Sequence, residues 1–280
     1  MSTDSVLDVL DDRALSGRRE STITRYREVL DRLAADLDKD PLKATHNDLR
    51  RYVVAWQADH TPNGAAFVLR HLKAFYRWAL EERYITQDPT AGLKLKSQPA
   101  PMLTATDVDI SKLLAVRGRS QSDVRDRALL YLIVCTGARR SEIGHLTIDD
   151  VLLDELLVMI PRSKTVARYV PITQETAIHL RRWLRSRPTK CGNSLWAASD
   201  GPALVGRVIA RRSCGALSPH SIRRWFATTW LSAGGSETSL ARILGWTTSA
   251  MAAVYTRATA QQVAHAEYRR VFDGRAHAGG

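Results

Sequence analysis

The chain has 280 residues, 44% of them hydrophobic, so it is long enough to bury a normal core within one or two domains. Its formal net charge is +12, with 16 basic against 15 acidic residues in residues 1–100 and 25 against 14 beyond them. This excess favours a polyanionic partner, whereas the lack of a long apolar run and the acidic start MSTDSVLDVLDD argue against a membrane span or a targeting peptide.

The first third of the chain is predicted to be helical. Residues 1–20 show no sustained pattern and are expected to form a partly mobile arm. An amphipathic helix is predicted from Ser21, a second from about Thr45 and a third over roughly Asn63 to Arg83, so residues 21–87 are interpreted as a helical bundle. Residues 88–102 contain three prolines, a glycine and two lysines, which interrupt every period and predict a linker.

Residues 103–280 are predicted to form a second domain that is mainly α-helical. Residues 152–172 are the exception, because they indicate two short strands around a basic turn and hence a β-hairpin. Helices are predicted at residues 104–117, 122–146, 173–187, 220–232, 236–246 and 249–272. The fold class is therefore mainly α with a small β-hairpin or sheet.

The stretch SPHSIRRWF marks the start of a helix. Ser218 suits the N-cap and Pro219 suits the first helical position. His220 and Arg223 then lie three residues apart, on one face of the first turn, where the helix dipole already favours an anion. Ile222, Trp225, Phe226 and Trp230 recur at helical spacing, which predicts a buried stripe on this helix.

Other single features have ordinary structural explanations. Gly137 before Arg139 and Arg140 could be a helix C-cap followed by solvated charge. Lys164 lies in the predicted hairpin turn, where a lysine is usually solvated. An indole at a helix end, such as Trp246, usually packs, and Tyr255 taken alone is explained as a core or surface residue.

The order and spacing of these features change that interpretation. The chain contains TGxRxSE, then a hairpin lysine followed by RxVP, then SPHxxR, then LGW and a tyrosine nine residues beyond the tryptophan. This succession resembles the tyrosine recombinases, the phage-integrase and Xer-type site-specific recombinases, over nearly the whole chain from Ser21. The resemblance implies a SAM-like helical core-binding domain and a catalytic domain, which together form a C-shaped clamp around duplex DNA.

The resemblance implies six catalytic residues, namely Arg139, Lys164, His220, Arg223, Trp246 and Tyr255. The two arginines would bind the non-bridging oxygens of a phosphodiester, which the tyrosine hydroxyl attacks to give a 3′-phosphotyrosyl intermediate. The lysine would protonate the departing 5′ oxygen, the histidine would accept or position the tyrosine proton, and the indole would donate its N–H.

Several details near these residues stay open. Glu142 is expected to orient Arg139 from behind, and Arg140 is an adjacent alternative to Arg139. Most family members carry histidine in place of Trp246, although tryptophan occurs in some branches. The residue after the second arginine is often histidine and is Arg224 here.

No metal or cofactor is expected, because the sequence shows no carboxylate cluster or Cys/His ligand set, and its three cysteines form no close-spaced pair. The implied partners are double-stranded DNA recombination sites, sister protomers in a tetramer on DNA, and accessory directionality or DNA-bending proteins. The expected location is cytoplasmic, with nucleoid association when DNA is bound, and no membrane partner. Two alternatives remain at this point, a catalytically silent DNA-binding protein and a type IB topoisomerase.

Overall fold

The computed structural model describes residues 9–11, 20–95, 104–161, 167–189 and 192–246, together with positions 264 and 268. Contacts within the chain divide it into two units, Met1–Met102 and Leu103–Gly280. None of the described helices combines the length and the apolar character that crossing a lipid bilayer requires.

The first unit is a small helical bundle. Its elements are α1 (Glu20–Leu37), a 3₁₀ turn (Pro41–Lys43), α2 (His46–Asp59) and α3 (Pro62–Glu81). Thr45 caps α2 in a reciprocal capping box with Asp48. The three predicted helices are thus confirmed, and their buried residues include Leu30, Leu33, Leu49, Leu72 and Phe75.

The chain before α1 also contributes to this core. Residues 9–11 are helical, and Val9 and Leu10 are buried against the bundle. These two apolar side chains therefore pack, although they fall within the segment that the sequence predicts to be an arm.

The second unit is built around a buried helix. Its helices are α4 (Asp107–Leu114), α5 (Gln121–Thr136), α6 (Arg140–Gly144), α7 (Gln174–Ser186), α8 (Gly201–Arg212), α9 (Pro219–Ser232) and α10 (Glu237–Leu244). Helix α5 packs most extensively against α7 and also contacts α4, α6, α8 and α9. Helix α5 lies at the centre of this core. Its fully buried residues include Leu129, Leu130, Leu132 and Ile133.

A three-stranded antiparallel sheet follows α6. Its strands are β1 (Val151–Leu152), β2 (Leu157–Ile160) and β3 (Arg168–Pro171), in the order β1-β2-β3. Ile160 pairs with Arg168 across the β2–β3 hairpin, which confirms the predicted hairpin. Strand β1 was not predicted, because two residues are too few to show an alternating pattern.

Helix α8 is the main element that the sequence analysis missed. Gly201 and Gly206 lower its helix propensity, although Asp200 caps it and Pro202 suits its first turn. The helix forms because α8 packs closely on α6: a Cβ at Gly201 would lie 2.7 Å from the carbonyl carbon of Gly144, and closer still to its oxygen. The contact between these two glycines therefore holds the start of α8 against α6.

The apolar stripe predicted on α9 is only partly correct. Ile222 is fully buried, but Trp225, Phe226 and Trp230 are half-buried and line an open groove of about 420 Å³. The buried face instead includes Arg223, so this helix turns a charged side chain inward.

Candidate active site

The loop that ends α5 places Arg139. Gly137 caps α5 in the left-handed region with φ 58°, and a Cβ there would lie 2.7 Å from the Phe226 ring and 3.0 Å from Leu244. Glycine is therefore required both by the backbone angle and by the close approach of α9 and α10. The chain then turns into α6, with Arg139 at its N-cap position.

Glu142 lies behind Arg139 in the first turn of α6. Its side chain is fully buried and accepts hydrogen bonds from the Arg139 backbone N–H at 2.8 Å and from Arg139 Nη1 at 3.1 Å. A second arginine, Arg168 of β3, donates Nη1 and Nη2 to the two carboxylate oxygens at 3.2 and 3.0 Å. Burial acts to raise the pKa of Glu142, but the bonds from Arg168 and then from Arg139 outweigh it, so this pKa is lowered and the group is ionised.

Arg223 reaches the same place from the first turns of α9. It is 4% exposed, and it donates Nη1 to the Gly137 carbonyl at 3.0 Å and Nη2 to the Leu244 carbonyl at 2.8 Å. Arg139 Nη1 lies 3.5 Å from the same Leu244 oxygen. One carbonyl oxygen is thus within reach of both guanidinium groups.

His220 precedes Arg223 by three residues. Ser218 caps α9 and Pro219 occupies its first turn, which confirms the predicted helix start. The ring is exposed, yet the surrounding protein removes enough solvent to lower its pKa, and Arg224, Arg223 and Arg139 lower it further. The neutral imidazole is therefore favoured, which leaves one ring nitrogen able to accept a proton.

Trp246 closes the other side of the cluster. Gly245 ends α10 in the left-handed region with φ 63°, and Trp246 follows it with 8% of its surface exposed. The indole packs with Leu240 and Leu244, and the Arg223 guanidinium carbon is 5.8 Å from the centre of its ring. Trp246 thus lies beside the arginine cluster.

Two predicted site residues lie outside the described part of the chain. Lys164 belongs to the connection between β2 and β3, and Tyr255 follows Trp246 beyond the last continuous described segment. The structure brings together the four other predicted catalytic residues with Glu142, and the assignments of Lys164 and Tyr255 stay predictions.

The structure also separates Arg139 from its neighbour in the sequence. Arg140 is exposed, and its side chain lies beside Gly206 of α8. Arg168 is the residue of the cluster that the sequence analysis did not select, although the RxVP motif contains it. The only sequence signal for Arg168 was its place in the RxVP motif after the hairpin lysine. No pattern among its neighbours shows that an arginine on a strand will contact a carboxylate on α6.

The arrangement suits an anion with several oxygens. Arg139, Arg168 and Arg223 outnumber Glu142, so the cluster carries excess positive charge next to a neutral histidine. Planar guanidinium groups can donate two parallel bonds to a phosphate. Among the described residues, no group of three or more His, Cys, Asp or Glu side chains is placed to hold a metal ion.

Comparison with known proteins gives a consistent result. The model of the phage integrase family matches residues 104–262. Tyrosine recombinase XerC of Chromobacterium violaceum is 28% identical over 275 residues, which cover 93% of this chain and 90% of that protein. Tyrosine recombinase XerD of Xanthomonas axonopodis pv. citri is 30% identical over 230 residues, which cover 74% and 75%.

Solved structures show the same fold. A lambda integrase (75–356) dimer bound to a COC′ core site matches with a TM-score of 0.73 and 18% identity, over 91% of this chain and 95% of that one. The Tn1549 transposon integrase in complex with transposon right end DNA matches with a TM-score of 0.70 and 18% identity, over 96% and 99%. The mainly α fold with a small sheet is thereby confirmed.

Proposed function

We infer the chemistry of this protein from the premise that the chain belongs to the phage integrase family and is a tyrosine recombinase of the Xer type. It is a tyrosine-type site-specific recombinase, and the comparisons favour neither a silent DNA-binding protein nor a type IB topoisomerase. What we propose is how its residues cut and rejoin DNA.

One observation carries the proposal. Arg139 and Arg223 both point donors at the Leu244 carbonyl oxygen, at 3.5 and 2.8 Å. Two guanidinium groups that can reach one oxygen can also share the non-bridging oxygens of one phosphate. We propose that a scissile phosphate binds beside this carbonyl and draws part of this hydrogen bonding to itself.

The proposed cleavage is an in-line displacement at phosphorus. The Tyr255 hydroxyl oxygen forms a bond to phosphorus while the bond from phosphorus to the 5′ oxygen breaks. The tyrosine proton passes to His220, whose lowered pKa keeps it neutral before reaction. Lys164 gives a proton to the departing 5′ oxygen, and Trp246 donates its indole N–H to a phosphate oxygen.

Charge stabilisation is assigned to the arginines. Negative charge accumulates on the non-bridging oxygens as the fifth bond to phosphorus forms, and preorganised donors stabilise it there. Glu142 would hold Arg139 in place and is itself kept ionised by its partners. The reverse reaction, with the 5′ hydroxyl of another strand as nucleophile, restores a phosphodiester and frees the tyrosine.

A nicked suicide substrate tests the proposal. The short fragment that carries the new 5′ hydroxyl diffuses away, so a 3′-phosphotyrosyl adduct accumulates and is separated on a denaturing gel. Tyr255→Phe should bind DNA with unchanged affinity and form no adduct, whereas Tyr84→Phe, which changes an exposed tyrosine of the first unit, should react normally. An adduct from Tyr255→Phe, or none from the wild type, would contradict the proposed chemistry.

Double-stranded DNA is the proposed substrate, and the positive charge beyond residue 100 supports it. The solved relatives include a lambda integrase tetramer bound to a Holliday junction, and we propose a tetramer on DNA here as well. That the two units clamp the duplex, that the protein is cytoplasmic, and that accessory directionality or DNA-bending proteins assist it are further parts of the proposal.

The open groove on the second unit supports this assembly. Leu114, Val134, Cys135, Trp225, Phe226 and Trp230 give it a mostly apolar lining. The sequence AQQVAHAEYRRVF, residues 260–272, carries Ala264, Tyr268, Val271 and Phe272 at helical spacing. We propose that this segment of one protomer docks in the groove of its neighbour.

A matched pair of variants tests this docking. Phe272→Asp should bind a single site normally but fail to assemble tetramers in sedimentation. Gln262→Asp adds the same charge away from the apolar side and should assemble like the wild type. Equal assembly of both variants would remove this segment from the interface.

A further inference from the structure

The cluster contains one arginine that the proposed chemistry does not use. We propose that Arg168 is a positioning residue, which binds both oxygens of Glu142 so that Arg139 keeps most of its guanidinium group for the phosphate. This inference rests on the proposed function and extends it to β3.

The geometry shows how the carboxylate is shared. Arg168 uses two nitrogens on Glu142, at 3.2 and 3.0 Å, whereas Arg139 uses one side-chain nitrogen at 3.1 Å and its backbone N–H. The Arg168 side chain is 9% exposed and the Arg139 side chain 23% exposed. The more buried arginine therefore neutralises the carboxylate, and the more accessible one faces the site.

The role of Arg168 is clear from how Glu142 would pair without it. A fully buried carboxylate needs a close partner, because an unpaired buried charge is costly. If Arg139 were the only partner of Glu142, the stablest geometry would be a fork-to-fork pair. Arg139 would then donate two side-chain nitrogens to Glu142, and those nitrogens would be lost to the phosphate.

Arg168 also fixes the end of α10. Its Nε donates to the Ile243 carbonyl at 2.6 Å, and the next carbonyl, that of Leu244, accepts from Arg223. Carbonyls in the last turn of a helix have no partner within the helix and attract cations. Arg168 thereby connects the strand after the Lys164 segment to α6 and to the turn that leads into Trp246.

Replacing Arg168 with leucine tests the inference. Arg168→Leu should retain DNA binding and helical circular dichroism while its adduct forms about 100-fold more slowly, because a misplaced catalytic group commonly costs that much. Arg168→Lys keeps the charge but not the fork, so it should be intermediate. Arg181→Leu removes an exposed ion pair with Asp154 and should cleave at the wild-type rate.

A second change separates positioning from simple structural damage. Removing the carboxylate should release the captured arginine, so Arg168→Leu combined with Glu142→Leu should cleave at least about tenfold faster than Arg168→Leu alone. Loss of the main partner should also raise the pKa of Glu142, so lowering the pH should protonate it and restore activity to Arg168→Leu relative to the wild type. Merely additive losses, with no relative gain at low pH, would overturn the inference.

The leaving group distinguishes Arg139 from Lys164 as the affected residue. The thiolate of a 5′-phosphorothiolate substrate departs without needing a proton. This substrate should therefore not rescue Arg168→Leu if the defect lies in phosphate stabilisation. Full rescue would show that Arg168 acts through the hairpin and would refute the proposed effect on Arg139. If the wild type forms an adduct and Arg168→Leu matches its rate, the inference fails while the proposed function stands.

Discussion

Gly201→Ala is expected to destabilise the second unit, because the first residue of α8 touches the backbone of α6. The added Cβ would lie 2.7 Å from the Gly144 carbonyl carbon and 3.1 Å from its Cα, where ordinary contacts are 3.4–4 Å. The neighbour is backbone, so no side chain can rotate away and the two helices must move apart. Overpacking of this kind costs about 3 kcal/mol, the upper end of the usual range.

Gly206→Ala, in the same helix, is the matched control. A Cβ there meets only the Arg140 side chain, at 3.5 and 3.7 Å, which is ordinary contact. Alanine also has the higher helix propensity, so this variant should be up to about 1 kcal/mol more stable than the wild type.

Urea denaturation followed by tryptophan fluorescence compares the two variants. With an m-value of about 3 kcal/mol/M, a loss of about 3 kcal/mol lowers the midpoint by about 1 M. Cleavage should fall as well in Gly201→Ala, because α6 carries Glu142 and follows Arg139. If the two variants agree within about 0.5 kcal/mol in their free energy of unfolding, the close packing of α6 on α8 does not limit the residue at position 201.

Three further outcomes are expected. The pKa of His220 is lowered from 6.5, so cleavage at subsaturating DNA should begin to fall only below pH 6.5, as the ring gains a proton. If the measured rate declines already above pH 6.5, His220 is not the proton acceptor. Lys164→Ala should cleave an ordinary substrate slowly and a 5′-phosphorothiolate at nearly the wild-type rate, and equal impairment on both would reassign the acid. Adduct formation should persist in EDTA, because arginine and lysine supply the positive charge, and loss of activity there would contradict the metal-free scheme.

Local signals in the sequence determined most of the helices and much of the site. Ser218 and Pro219 start α9 through a cap that involves residues three apart, and Thr45 starts α2 in the same way. Such contacts need no distant partner, so they can be predicted from neighbouring residues alone. The single helix predicted over residues 122–146 is instead two helices, because Gly137 ends α5 and Arg139 stands at the N-cap of α6.

Partners from distant parts of the chain could not be predicted in this way. Helix α8 packs on α6 through Gly201 and Gly144, a contact that no local pattern indicates, although Asp200 and Pro202 do mark the start of the helix. Trp225 was expected in the core because its spacing matches a buried face, but spacing does not tell which neighbours cover that face. It instead donates its indole N–H to Asp107 at 2.7 Å and lines the groove.

The sequence by itself determined the family, most of the helices and which residue types can bind a phosphate, because motif spacing is written along the chain. Only the tertiary structure decided that Arg168 of β3 meets Glu142 of α6, and that Arg139 and Arg223 meet at the Leu244 carbonyl. These pairings join four separate elements, β3, α6, α9 and α10. Their physical cause is the burial of one carboxylate and of the last carbonyls of α10, which require donors from whichever side chains the fold brings near.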